Sequence, residues 1–509
     1  MTRKPGLKVY MVMRDTNDGQ RGDGFHRRFR TAAVAVVWAA VLAFASGTGM
    51  PAVASEGTDD RREGVPQGSM AQFQLPSSFR HGQEGPARPL VQRLKYQYSY
   101  GSESEIAYRR NPDLDNRTRD NFLIAVPQLN GTLVYRPTGW LETTLEMIIE
   151  KEIPVQEEKV ILLPNGETQY APKRRLSLLV DQAFVTVKGF TAPFEIHAGR
   201  RNYEDERHWL YDTSMDTAAV SLRMGTFRAE AFAGREVLWD MDLFVNQEKD
   251  RIDTYMVVAD YRGIEGLKFA AFTVYRDDRR GKEGSPLILG VSSQGMPSEK
   301  ISYWALFAHM RGKDETKRKF SAYAVDVGGT YRFPGLPFHP NVTLGFGYAT
   351  GDGNPNDDRN TEFRQTGLQS NEAKFAGVSD FKVYGETLDP ELSNLGILTA
   401  GLGFRPASNV TVDLVYHRYW LDRISDEIRN SALTAQLNQN DANLTRDMGR
   451  AFDIVIGIRN LFGVRRLGLD VRAGWFFPAK AFPIEEGDPD DPVFRHADRG
   501  SSIVAKLWW

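Results

Sequence analysis

From Val91 to Trp509 one pattern recurs: segments of about ten residues in which apolar and polar side chains alternate. In VQRLKYQYSY, Leu94, Tyr96, Tyr98 and Tyr100 share one face, and Arg93, Lys95, Gln97 and Ser99 share the other. A period of two means a strand with one apolar and one polar side. Leu141, Leu145, Met147 and Ile149 likewise oppose Glu142, Thr144, Glu146 and Glu150. Phe452, Ile454, Ile456 and Ile458 oppose Asp453 and Arg459, and Leu467, Leu469, Val471 and Ala473 oppose Asp470 and Arg472. The last segment sets Ile503, Ala505, Leu507 and Trp509 on one side, so the chain ends on an aromatic strand.

Eighteen such segments can be marked. Eight short connections rich in Pro and Gly, such as 137–139 and 333–340, alternate with nine longer polar ones: 101–127, 153–173, 202–215, 235–250, 277–284, 311–319, 351–393, 421–448 and 478–498. This predicts an all-β fold, an 18-stranded antiparallel transmembrane outer-membrane β-barrel with long extracellular loops and short periplasmic turns. Closure is required, because an open sheet edge in lipid leaves N–H and C=O groups unsatisfied. The composition, 41% hydrophobic and 26% charged, looks soluble, but a lipid band needs only every second residue apolar. A secreted sandwich or propeller predicts shorter, more uniform connections and no terminal aromatic strand.

Upstream, Arg27, Arg28 and Arg30 precede the short apolar run Ala32–Ala45, and Ala52-Val53-Ala54 offers small residues for cleavage. Residues 1–54 read as a signal peptide, with Met11 and Met13 as alternative starts. Residues 55–90 read as a disordered polar lead-in, and 91–509 as the barrel. The absence of cysteine excludes disulfides, Cys-ligated metals and a thiol nucleophile. A net charge of -2 argues against a nucleic-acid partner. No H-E-x-x-H, G-x-S-x-G or Walker A motif occurs, and His417 beside Asp413 has no evident nucleophile. No enzyme activity, cofactor or metal is expected.

If the apolar faces meet lipid, the polar faces line a lumen. Arg93, Lys95, Arg175, Arg201, Arg223, Lys268, Arg276, Arg405, Arg459, Arg472 and Lys506 then outnumber Glu195, Asp413 and Asp470. A surplus of bases in a low-dielectric wall concentrates anions, and the guanidinium fork fits carboxylates. Loop 351–393 is far longer than the common connection of about 4–6 residues. Its Phe363, Leu368, Phe375, Val378 and Phe381 would not suit a solvated loop, so it is expected to pack onto the barrel mouth or inside it as a plug.

Two stretches go beyond a generic barrel: HAGRRNYEDERHWLYDTSMD (197–216) and GDGNPNDDRNTEFRQTGLQSNEAKFAGVSDFKVYGETLDPELSNL (351–395). With LTAGLGFRPASNVTVDLVYHRYW and AFDIVIGIRNLF they closely resemble the alginate export family of outer-membrane porins, over roughly 90–509. The resemblance implies passive export of an anionic exopolysaccharide, alginate or a related polyuronate, through an Arg/Lys-rich pore in the outer membrane of a Gram-negative bacterium. It implies pore roles for Arg200 and Arg201, for Glu204, Asp205, Glu206 and Arg207 in the loop that follows, and for Arg364 in the longest loop. Lys95 and Arg175 match basic strand positions, and Arg459, Asp470 and Arg472 complete the expected selectivity set. Expected partners are the polysaccharide, outer-membrane lipid and lipopolysaccharide, and periplasmic scaffold proteins of polysaccharide synthesis. A general or uptake porin for small acidic sugars, or a structural or adhesive barrel, stays open beside export.

Overall fold

The computed structural model describes residues 96–118, 120–157, 175–189, 193–245, 251–281, 283–440, 443–488 and 491–509. The expected signal peptide, the lead-in and Lys95 lie outside the described residues. Eighteen antiparallel staves close into a barrel. They are β1 Tyr96–Arg110, β2 Phe122–Tyr135, β3 Leu141–Lys151, β4 Leu176–Lys188, β5 Phe194–Glu204 and β6 Asp212–Met224. Next come β7 Phe227–Arg235, β8 Ile252–Tyr261, β9 Leu267–Asp278, β10 Ser285–Ser298, β11 Ile301–Lys313 and β12 Ala322–Arg332. The last are β13 Asn341–Ala349, β14 Leu395–Ala407, β15 Val410–Leu421, β16 Asp447–Arg459, β17 Gly468–Pro478 and β18 Gly500–Trp508. Each stave pairs with its sequence neighbour, and β18 returns to β1 from Glu103↔Trp508 to Arg110↔Ser501, so the sheet closes on itself.

Several staves run past the segments marked by alternation. β1 reaches Arg110 and β2 begins at Phe122, shrinking the expected loop 101–127 to 111–121. On β1, Ser102 and Ser104 take the outer-face positions that follow Tyr96, Tyr98 and Tyr100, so the ladder continues where the period-two signal stops.

The outer wall carries exposed apolar side chains such as Leu133, Ile196, Val220, Val257, Leu344 and Leu402. Aromatic side chains gather toward both ends of the wall. Tyr261, Tyr331 and Trp509 stand near the turns, and Tyr255–Tyr275 and Phe452–Trp475 near the loops, with centroids 6.0 and 6.4 Å apart. The buried apolar residues therefore sit inside the barrel. Two inward-folded loops supply many of them.

The first is 205–211, which brings Trp209, Leu210 and Tyr211 into the interior. The second is 350–394, which buries Phe363, Leu368, Phe375, Phe381, Tyr384, Leu388 and Leu392. Phe375 stacks on Trp304 of β11 (5.9 Å) and meets Phe381 edge-on (4.8 Å). The Trp209 indole N–H donates to Tyr384 Oη (3.0 Å), joining the two loops, and the Tyr419 hydroxyl of β15 donates to Tyr384 O (2.9 Å). The expectation that the long loop packs back holds in its stronger form, because the loop lies in the lumen. It reaches the periplasmic side, where Gly377 passes so close to the wall that a Cβ there would stand 2.1 Å from Asp413 Oδ2.

Candidate functional site

The lumen is a charged seam between loop 350–394 and the wall of β1, β16, β17 and β18. Arg472 on β17 reaches Glu372 (3.3 Å), Glu386 (3.7 Å) and the carbonyl of Asp380 (3.5 Å). Lys382 lies 3.4 Å from Glu372 and 3.3 Å from Asp389. Lys506 on β18 meets Glu103 on β1 at 2.7 Å. Nearer the periplasmic end, Arg459 Nη1 donates to Asp470 (2.5 Å), and its Nη2 donates to Val378 O (2.5 Å). Ser379 also donates to Asp470, at 2.5 Å. Lys382, Glu372, Lys506 and Glu103 all keep part of their side chains in water, so the seam is wetted rather than sealed.

On the opposite side, Arg207 from the first inward loop lies 3.4 Å from Asp326 and 4.1 Å over the Trp304 ring. Glu206 bonds Lys268 of β9. Asp205 holds the loop turn by accepting the backbone N–H of Leu210 (2.8 Å) and of Tyr211 (3.1 Å). Arg201 is in the lumen wall, 2.9 Å from Glu230 and 5.1 Å over the Tyr203 ring.

Of the expected selectivity set, the structure thus brings Arg459, Asp470 and Arg472 together against the long loop, with Arg201 and Arg207 elsewhere on the lumen. It does not bring in the other described members. Arg175 pairs with Asp242 (2.8 Å) in the β7–β8 loop. Arg364 pairs with Glu315 (3.0 Å) and lies over Phe320 (5.4 Å), tying the long loop to the β11–β12 loop. Arg200 shares the parity of Phe194 and Ile196, both exposed, and so stands on the outer face of β5.

The expected surplus of bases on the lumen faces also needs correction. Glu105, Glu142, Glu150, Glu230, Asp260, Asp326 and Asp453 are all buried on the barrel staves, and ion pairs run throughout the seam. Glu103 and Glu105 fall within a segment that the sequence assigns to a loop, so they escape the lumen count. Glu372, Lys382 and Glu386 escape it too, because a loop sequence carries no parity to say what it faces.

Basic groups outside any ion pair do occur at the periplasmic end, although Arg228 also faces Asp260 across the β7–β8 ladder, where Asp260 is held by Arg262. Arg223 of β6 and Arg228 of β7 are directly opposite in register across the Gly225–Thr226 turn. Among the described residues neither is in an ion pair. With Lys188 and Glu195 they line a cavity of about 260 Å³. Like charges directly opposite in a ladder are destabilising. The two-residue turn was the signal that could have paired them.

A family model described as alginate export matches residues 90–492. The alginate production protein AlgE of Pseudomonas aeruginosa is 34% identical over 320 residues, 55% of this chain and 63% of that protein. The protein of the same name from Azotobacter vinelandii is 26% identical over 184 residues, 33% of this chain and 36% of that protein. The chain thus spans less than two thirds of the length of the curated relatives it matches. The crystal structure of Pseudomonas aeruginosa OccK9 (OpdG) superposes with a TM-score of 0.52 at 11% identity, covering 81% of this chain and 97% of that one. At that identity the likeness is one of fold.

Proposed function

The chain belongs to the alginate export family and lies in the outer membrane of a Gram-negative cell; from that premise we propose that it is a passive conduit for an anionic exopolysaccharide, alginate or a related polyuronate, moving from periplasm to exterior. The observation that carries this reading is the order of charges along the barrel. Arg223 and Arg228, in no ion pair, stand at the periplasmic mouth; ion-paired Arg459 and Lys506 lie toward the same end, and ion-paired Arg472 and Lys382 lie above them.

Guanidinium groups outside ion pairs at the entrance draw a polyanion in. Inside, every carboxylate of the polymer would displace a protein carboxylate from its cation, an exchange of like for like. Conduction requires attraction strong enough to enter yet weak enough to leave, and paired cations satisfy both demands. No catalytic step is assigned. A barrel holds no energy source, so the drive comes from synthesis in the periplasm, and scaffold proteins of that synthesis are the partners we expect at the turns. A leader removed after Ala54 delivers the chain there, which an intact mass beginning at Ser55 would check.

The long loop must yield for a polymer to pass. Deleting residues 356–386 removes no stave. In planar bilayers at low salt the deletion should raise conductance, and oligouronates added from the periplasmic side should block that current. Equal block by neutral oligosaccharides of the same length would overturn the polyanion reading, and unchanged conductance would overturn the plug.

A further inference from the structure

Arg200 poses a problem that the conduit does not solve. It lies six residues up β5 from Phe194, on the face that carries Phe194 and Ile196. At about 3.3 Å per residue and a tilt near 40°, that is roughly 15 Å above the periplasmic end of the stave, within a lipid band about 25 Å tall. Asp216 and Ser214 of β6 are on the same outer face, in step with exposed Val220. A bare charged patch at that height is costly.

The structure covers it. β4 and β5 pair only from Lys188↔Glu195 to Ala183↔Arg200. At Gly199 the backbone takes φ +124, and a Cβ there would stand 2.2 Å from Ala183 O. Beyond this point the β5–β6 hairpin leans into the lumen with its loop, leaving the edge of β4 from Leu176 to Gln182 without β5. Residues 236–244 of the β7–β8 loop fill the gap. Met241 O accepts from Val180 N (2.8 Å), Leu243 N donates to Leu178 O (2.9 Å), and Leu179 bridges Asp242.

Arg200 and Asp216 fasten this strap from within. Arg200 Nη1 donates to Glu236 O (2.8 Å) and Asp216 (3.2 Å), and Nη2 donates to Ser214 O (3.1 Å). Asp216 accepts the backbone N–H of Leu238 (2.6 Å) and Trp239 (3.2 Å). Arg175 holds the far end through Asp242. The outer surface of the strap is then Leu238, Trp239, Leu243 and Phe244, exposed by 43, 51, 53 and 58%.

We propose that the strap 236–244 is a lipid-docking element: it closes the wall between β4 and the leaning hairpin and presents Leu238, Trp239, Leu243 and Phe244 to the acyl chains of the outer leaflet. Continuity decides the occupant. The strap pairs in the plane of the wall, and its apolar surface extends the lipid face formed by Leu176, Ile196 and Val220. Arg200 and Arg175 thereby become positioning residues of the wall.

The chain has no cysteine, so a single label can be placed at Phe244→Cys with a bimane probe, with Asp357→Cys as the loop control. The folded barrel is reconstituted in phosphatidylcholine vesicles whose acyl chains carry bromine. Quenching by bromolipid at 244 and by aqueous iodide at 357 is expected. Iodide quenching at 244 without bromolipid quenching, or cross-linking of 244 between two copies, overturns the proposal. Arg200→Gln should lose the bromolipid quenching at 244 while ion selectivity stays that of the parent. A changed selectivity with 244 still in lipid would return Arg200 to the pore and end the inference.

Discussion

Phe381→Ala tests whether the long loop is a docked plug. Phe381 is fully buried in the lumen, pairs in register with Ala373, and meets edge-on at 4.8 Å the Phe375 ring that stacks on Trp304 of the wall. It belongs to no stave, so the barrel ladder is untouched. Emptying such a site costs about 3–5 kcal/mol, the lost transfer energy plus the cavity. At about 1.4 kcal/mol per power of ten, the docking equilibrium shifts by roughly two to three and a half powers of ten. Two readings should follow it. Amide exchange of residues 381–388 should quicken by that factor, and spontaneous openings in planar bilayers should become more frequent. Resistance of the folded barrel to heating in detergent should be unchanged. If exchange and closed times both match the parent, the loop is not held by this packing, and the plug reasoning fails.

Three other outcomes are expected. Glu372→Gln strips Arg472 and Lys382 of a shared carboxylate at 3.3 and 3.4 Å. Bonds to charged groups are worth about 1.5–3 kcal/mol, so blocks by oligouronate should last roughly ten to a hundred times longer, and unchanged block times would remove both cations from the polymer's path. In the β1–β2 loop, burial and the neighbouring Asp113 carboxylate push Asp120 up to about 7 from 3.8. A raised carboxylate makes the ordered loop bind more protons than the disordered one, so its order is greatest in acid and falls as pH rises between about 4 and 7. Exchange of the 113–120 amides, corrected for intrinsic rates, should report this, and Asp120→Asn should flatten it. Finally, Asp357→Cys should label on intact cells and Thr138→Cys should not. Labelling at 138 would reverse the assignment of loops and turns.

The staves were legible because burial in lipid acts on every second residue, and the sequence records that rule wherever the outer face is apolar. Leu141 to Glu150 shows it, and the stave appears at Leu141–Lys151. Where the outer face turns small and polar the record stops: Ser102 and Ser104 follow Tyr96, Tyr98 and Tyr100 on one face, which is why Glu103 and Glu105 of β1 read as loop. The packing of loop 350–394 was legible for a different reason, since apolar side chains in a long connection need cover. Its depth was not. Gly377 against Asp413 and Val378 O against Arg459 are contacts between positions far apart in sequence, and no local pattern encodes them.

Charge was the hardest property to read. A side chain's sign is plain in the sequence, but whether it acts on a solute depends on its partner, and Arg472, Arg459 and Arg207 each have one. One error was avoidable from alternation alone. Adjacent residues of a strand face opposite sides, so Arg200 and Arg201 cannot both line a lumen. His197 is buried and Ile196 is exposed, and that parity sends Arg201 inward to Glu230 and Arg200 outward. An outward arginine at the height of the lipid band demands cover in its turn. The nearby apolar run Val237-Leu238-Trp239, in a loop that otherwise has no reason to be apolar, is the segment that supplies it.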